Sequence, residues 1–74
     1  MVEMANPLVS IIIVNWNGRE ILRKCLNSIR ENTEYPYYRV VVVDNGSTDG
    51  SVEMIKKEFP YVKLIQKVSI FEQF

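Results

Sequence analysis

The chain has 74 residues, nine Lys plus Arg against nine Asp plus Glu, and no histidine. That length allows one small domain at most, marginal in burial unless stapled; yet a single cysteine forms no intrachain disulfide, and without histidine there is neither a Cys/His zinc cluster nor a Ser-His-Asp triad. Balanced charge with 47% hydrophobic residues is the composition of a folded α/β piece, which sets aside a disordered chain and a polybasic nucleic-acid binder.

Residues Leu8 to Val14 form a β-branched run between Pro7 and the polar turn Asn15-Trp16-Asn17-Gly18. A continuous run of this kind predicts a parallel strand covered on both faces. From Arg19 to about Asn32 the apolar positions Ile21, Leu22, Cys25, Leu26 and Ile29 follow helical spacing and predict one buried face, with Asn17 as N-cap and Asn32-Thr33 and Pro36 as the stop. Arg39 to Val43 is a second apolar strand, closed by the turn-forming stretch Asp44-Asn45-Gly46-Ser47-Thr48-Asp49-Gly50. Val52, Ile55 and Phe59 predict a second helix from about Ser51 to Phe59, capped by Asp49, with Glu53 in its first turn and Pro60 ending it. Val62 to Ile65 is a third short strand. The tail, Gln66 to Phe74, either prolongs that strand or makes a short amphipathic turn.

The order β-α-β-α-β predicts right-handed crossovers and a three-stranded parallel sheet in spatial order 3-2-1, half of a doubly wound, Rossmann-like domain. Ligands of such sheets bind beyond the carboxyl ends of the strands. The two loops at that edge, Asn15 to Gly18 and Asp44 to Gly50, carry one flat aromatic, one early carboxylate, several amides and hydroxyls, and all three glycines. A ring to stack on and a carboxylate to accept from a ring N–H or a ribose hydroxyl suit a nucleoside.

The stretch from Val9 to Gly18, with Cys25-Leu26-Asn27-Ser28-Ile29 and Val41-Val42-Val43-Asp44-Asn45-Gly46-Ser47-Thr48-Asp49-Gly50-Ser51, resembles the start of family 2 glycosyltransferases of GT-A fold, most closely their rhamnosyltransferase-like branch. The resemblance covers roughly residues 7–66 and leaves 67–74 as a divergent tail, all within one partial domain, 1–74. It implies a nucleotide or nucleotide-sugar ligand. Trp16 then packs against the base, the backbone near Val14 lines the same pocket, and Asp44 accepts from the base or its ribose. Each has a plainer reading: Trp16 as a lid on the sheet edge, Asp44 as an Asx-turn residue. For Asn15, Asn17, Asn45, Ser47 and Thr48 turn and cap duties are expected, for Cys25 helix packing, and for Gly46 and Gly50 positive φ or close backbone approach.

The resemblance also implies parts that these residues do not supply. Family members neutralise the donor diphosphate with a divalent cation on an Asp-x-Asp motif, whereas the only aspartates here are Asp44 and Asp49. The motif, the catalytic base and the acceptor half are expected beyond residue 74, so the chain reads as a truncated first third with no catalytic residue, no metal ligand and no cofactor of its own, inactive in transfer alone. An anion on the second helix's N-terminus is opposed by Asp49 and Glu53. The alternative is a non-catalytic, self-associating α/β module, a relic or a split-protein subunit. In either case Ile11, Ile12 and Ile13 sit on an unprotected strand edge, and a homo-oligomer is expected through that edge or through the tail with Phe71 and Phe74. A receiver-like phosphoacceptor role for Asp44 lacks the acidic pair near the end of the first strand. No apolar run approaches a membrane span, and the start lacks a signal-peptide pattern, so the expected location is cytoplasmic.

Overall fold

A computed structural model describes residues 7–67. The elements follow the expected order: β1 (Val9–Asn15), α1 (Arg19–Asn32), β2 (Tyr38–Asp44), α2 (Ser51–Glu58) and β3 (Lys63–Gln66). The strands form one parallel sheet in the order β1-β2-β3, as two consecutive crossovers in the same direction require. β1 and β3 lie one residue further along the chain than the apolar runs suggest, and β2 extends one residue beyond its run at each end. The polar residues Asn15 and Asp44 close the ladder as a register pair, and the Asn15 carbonyl accepts the Asn45 amide at 2.9 Å.

Two crossovers of one hand and one direction put both helices on one face of the sheet. Against them face Ile11, Ile13 and Asn15 of β1, Val40, Val42 and Asp44 of β2, and Leu64 of β3, as the strand period demands. The core joins Leu22 and Leu26 of α1 to Val40 and Val42, to Met54 and Ile55 of α2, and to Phe59 and Val62. Arg30 of α1 lies over the Phe59 ring, 5.2 Å from its centroid, and Arg23 bridges to Glu58 of α2 at 2.7 Å. The aromatic stack and the ion pair tie the helices edge to edge.

Three expectations need correction. The first strand is covered on one face only: Ile12 and Val14 are about two-thirds exposed on the other, where Val41, Val43 and Ile65 continue an apolar surface. The continuous β-branched run could not reveal which side stays open. Second, Ile21 and Cys25 leave the core, Ile21 being 78% exposed. On the helical wheel they lie opposite Arg23 and Arg30, which face α2, and so toward the outer edge of β1, where no element among the described residues covers them. Third, on α2 Met54 is buried with Ile55, and Val52 is only half-buried.

The last seven residues, with Phe71 and Phe74, lie outside the described residues. Among the described residues no helix is long and apolar enough to cross a membrane.

The corrected core makes a direct test. Leu26→Ala, at a fully buried position, is expected to cost about 2–5 kcal/mol of unfolding free energy, while Ile21→Ala changes it by less than about 0.5 kcal/mol. Urea unfolding followed by circular dichroism checks both; equal losses would return Ile21 to the core.

Candidate functional site

The carboxyl edge of the sheet is built from the β1–α1 loop, Trp16 to Gly18, and the β2–α2 loop, Asn45 to Gly50. Their backbones need unusual conformations. Asn17 has φ +50°, a left-handed value that asparagine tolerates better than most side chains, and Gly46 and Gly50 sit at φ +90° and +89°, as expected of them.

Asp44 is 2% exposed and faces the helix side of the sheet. Its Oδ1 accepts the Asn15 amide at 2.9 Å and the Ser47 hydroxyl at 2.6 Å; its Oδ2 accepts the backbone N–H groups of Ser47 at 2.8 Å and Gly46 at 3.2 Å. Burial pushes the carboxyl up, but the hydroxyl and amide of Ser47, then the Asn15 and Gly46 donors, outweigh it and hold its pKa below the usual carboxylate value.

Asn17 does not cap α1. The N-cap position is Gly18, which makes no side-chain cap bond. Instead the Asn17 side-chain oxygen accepts the Thr48 amide at 2.7 Å, and the Asn17 amide donates to the Ser47 hydroxyl at 2.8 Å. Asp49 lies one residue before the N-cap of α2, which is Gly50, yet it serves both helices: one carboxylate oxygen accepts the amide and hydroxyl of Ser51 at the start of α2, and the other accepts the Arg19 amide at the start of α1, 3.0 Å away. Led by the Ser51 hydroxyl, these donors also lower its pKa. Asp49 thus fills the anion-attracting ends of both helices, and the amide at the start of α2 has an internal acceptor already.

Trp16 stands between the two tethered asparagines with 67% of its surface exposed. Of the three residues expected at a nucleoside pocket, Val14 lies on the open face and Asp44 on the helix face, so their side chains are on opposite sides of the sheet, and Trp16 rises from the loop beyond. A shallow depression of about 290 Å³ lies at the start of α1, lined by Asn17, Gly18, Arg19, Glu20, Ile21 and Asp49, and none of the three lines it. The residues that organise the edge include Ser47, Asn15 and Asn17. Ser47 performs the expected turn duty through its bonds to Asp44, and in addition it and Asn17 make bonds between the loops, across 30 or more positions.

Both carboxylates of the edge are committed to N–H and O–H donors, and they lie on different loop ends. The residues present do not fit a divalent cation, which needs several oxygens converging on one point. Among the described residues no group of three or more His, Cys, Asp or Glu comes together.

Comparison with known proteins gives the class. Residues 10–73 match the model of glycosyl transferase family 2. The chain belongs to that family. It is 47% identical over 53 residues to glycosyltransferase AglE of Haloferax volcanii, covering 69% of this chain and 17% of AglE. It is 33% identical over 58 residues to the SPbeta prophage-derived glycosyltransferase SunS of Bacillus subtilis, 78% of this chain and 13% of SunS, and 43% identical over 54 residues to glycosyltransferase GlyA of Streptococcus pneumoniae, 73% and 8%. The chain therefore spans less than a fifth of the length of these relatives. No solved structure matches it.

The Asp44 network fixes the sign of a pH effect. Its folded pKa lies below the ordinary value of 3.8, so its contribution is complete above that value and disappears as pH falls through the lower, folded one. Unfolding free energy is expected to hold above about pH 5 and to decline below about pH 4. Asp49, Glu20 and Glu58 are shifted the same way and maintain part of the slope. Asp44→Asn, which turns an N–H group toward the Gly46 and Ser47 donors, is expected to cost about 1–3 kcal/mol at neutral pH and to flatten the acid limb. Urea midpoints between pH 2 and 7 measure both, and an unchanged acid limb would remove Asp44 from this role.

Proposed function

We propose that this chain receives the nucleoside part of a nucleotide-diphosphate sugar, as the donor-recognising segment of a glycosyltransferase. The observation that carries the reading is the two-thirds exposed Trp16, held between two tethered asparagines at the sheet edge where doubly wound folds bind ligands. The indole offers a stacking face for the base, and the backbone around Val14 borders it. Asp44 is the acceptor in this reading; a ribose hydroxyl or ring N–H reaches its Oδ2 in place of the Gly46 amide, the longest of its four bonds at 3.2 Å, and the Ser47 hydroxyl stays on Oδ1. Family membership supports glycosyl transfer as the wider reaction. A divalent cation, the catalytic base and the acceptor site belong to residues other than these, and the chain alone performs no transfer. The exposed Cys25 thiol agrees with a reducing, cytoplasmic setting.

Titration calorimetry with UDP, GDP and dTDP tests the reading. At least one is expected to bind at about millimolar Kd or tighter. Trp16→Ala is expected to weaken that binding by the equivalent of about 1–3 kcal/mol, the usual worth of one base stacked on an aromatic. No binding by any of the three, or binding indifferent to Trp16→Ala, defeats it.

A second reading is favoured by the uncovered part of the sheet: the chain associates with itself. β1 is an edge strand, Ile21 overhangs that edge, and Ile12, Val14 and Ile65 are exposed on the open face. Unpaired strand edges and apolar faces of this kind recruit further chains. Size-exclusion chromatography with light scattering is expected to show a dimer or larger, and Ile12→Lys to shift the population toward monomer. A stable monomer of the unaltered chain rejects self-association and leaves the nucleotide reading standing.

A further inference from the structure

The exposed indole of Trp16 is bracketed by a single hydroxyl. Ser47 Oγ accepts the side-chain amide of Asn15, the residue before Trp16, at 3.2 Å, and the backbone N–H of Asn17, the residue after it, at 2.8 Å. The same hydroxyl donates its proton to Asp44 Oδ1 at 2.6 Å. A serine hydroxyl has one proton and two lone pairs, so its capacity is fully used and its orientation is set on both sides of the tryptophan. Asn17 adds the second fastening: at φ +50° its side-chain oxygen takes the Thr48 amide at 2.7 Å. The loop that carries Trp16 is therefore anchored at both neighbours to a different loop, and the anchor ends on a buried carboxylate.

We propose that Ser47, with Asn17, is a positioning residue for Trp16: the pair orders the indole's backbone before any ligand arrives. An aromatic on an unfastened loop gives up backbone and rotamer freedom on stacking, whereas one whose neighbours are already fixed loses less and binds more tightly. The consequence for affinity rests on the nucleoside reading of Trp16; the ordering itself does not.

Because Trp16 is the only tryptophan in the chain, its fluorescence reports on this loop alone. Time-resolved anisotropy of the ligand-free 74-residue chain separates local motion of the indole from tumbling. Ser47→Ala and Asn17→Gly are expected to increase the fast, local component and the accessibility to acrylamide. Ser47→Thr keeps the hydroxyl and Asn17→Asp keeps the acceptor, so both are expected to retain the native decay. Asn17→Gly preserves the positive φ and deletes the side-chain bond but also frees the backbone, so it is read beside Asn17→Ala, which deletes the same bond without that freedom; the pair remains informative where Ser47→Ala weakens folding through Asp44. For UDP, GDP or dTDP, whichever binds the unaltered chain, Ser47→Ala and Asn17→Gly are expected to raise Kd about three- to tenfold, and the conservative variants to restore it. Unchanged anisotropy in folded Ser47→Ala and Asn17→Gly overturns the proposal. Altered anisotropy in those two, with no nucleotide bound even by the unaltered chain, upholds the positioning role and defeats the nucleoside reading instead.

Discussion

The buried amide of Asn15 donates to the carboxylate of Asp44 across the last rung of the β1–β2 ladder, and both loops of the carboxyl edge take their places from that contact. A hydrogen bond to a charged acceptor is worth about 1.5–3 kcal/mol, and leaving the acceptor unpaired costs more than the bond contributes. The pairing therefore discriminates between registers as well as holding one. A slip of one residue would turn Asn15 to the open face and bring Val14 or Trp16 against the carboxylate. Once Asp44 is fixed, its remaining lone pairs dictate where Ser47 and Gly46 must sit, and Ser47 in turn reaches back to the neighbours of Trp16. Register, loop conformation and the placement of the exposed ring are one connected arrangement.

Much of the architecture is legible in the chain because it rests on local pattern. β-branched runs bounded by Pro7 and by the glycine-containing turns mark the strands, and Leu22, Leu26 and Ile29 mark the face of α1. What escapes is decided by neighbours distant in sequence. Ile21 and Cys25 share the spacing of a buried face, yet no element of the three-stranded sheet extends beneath them, and helical periodicity holds no information on where a sheet ends. In the same way, an unbroken Val40-Val41-Val42-Val43 run conceals the alternation that places Val40, Val42 and Asp44 inward.

The candidate site divides along the same line. The exposure of Trp16 and the strand-end position of Asp44 follow from the turn residues around them. The work of Ser47, Asn17 and Asp49 follows only in part: the bonds of Ser47 to Asp44 and of Asp49 to Ser51 are local, but their further partners, and the Ser47 and Thr48 partners of Asn17, lie about 30 positions away. Asx and Ser motifs suggest bonds to the nearest backbone; here parallel pairing brings two loops side by side, and their polar side chains fasten to each other.

The order β1-β2-β3 means that β2 and β3 each pair with the strand just before them in the chain. Among the described strands each pairing is made with the next strand in the chain, and the bonds that join the two loops are complete once Asp49 has been added, before β3 exists. Short loop closures of this kind are fast relative to distant pairings. During synthesis, which proceeds at about 5–20 residues per second, the carboxyl edge with its tryptophan can assemble as it emerges, each crossover laying the next strand against a finished one.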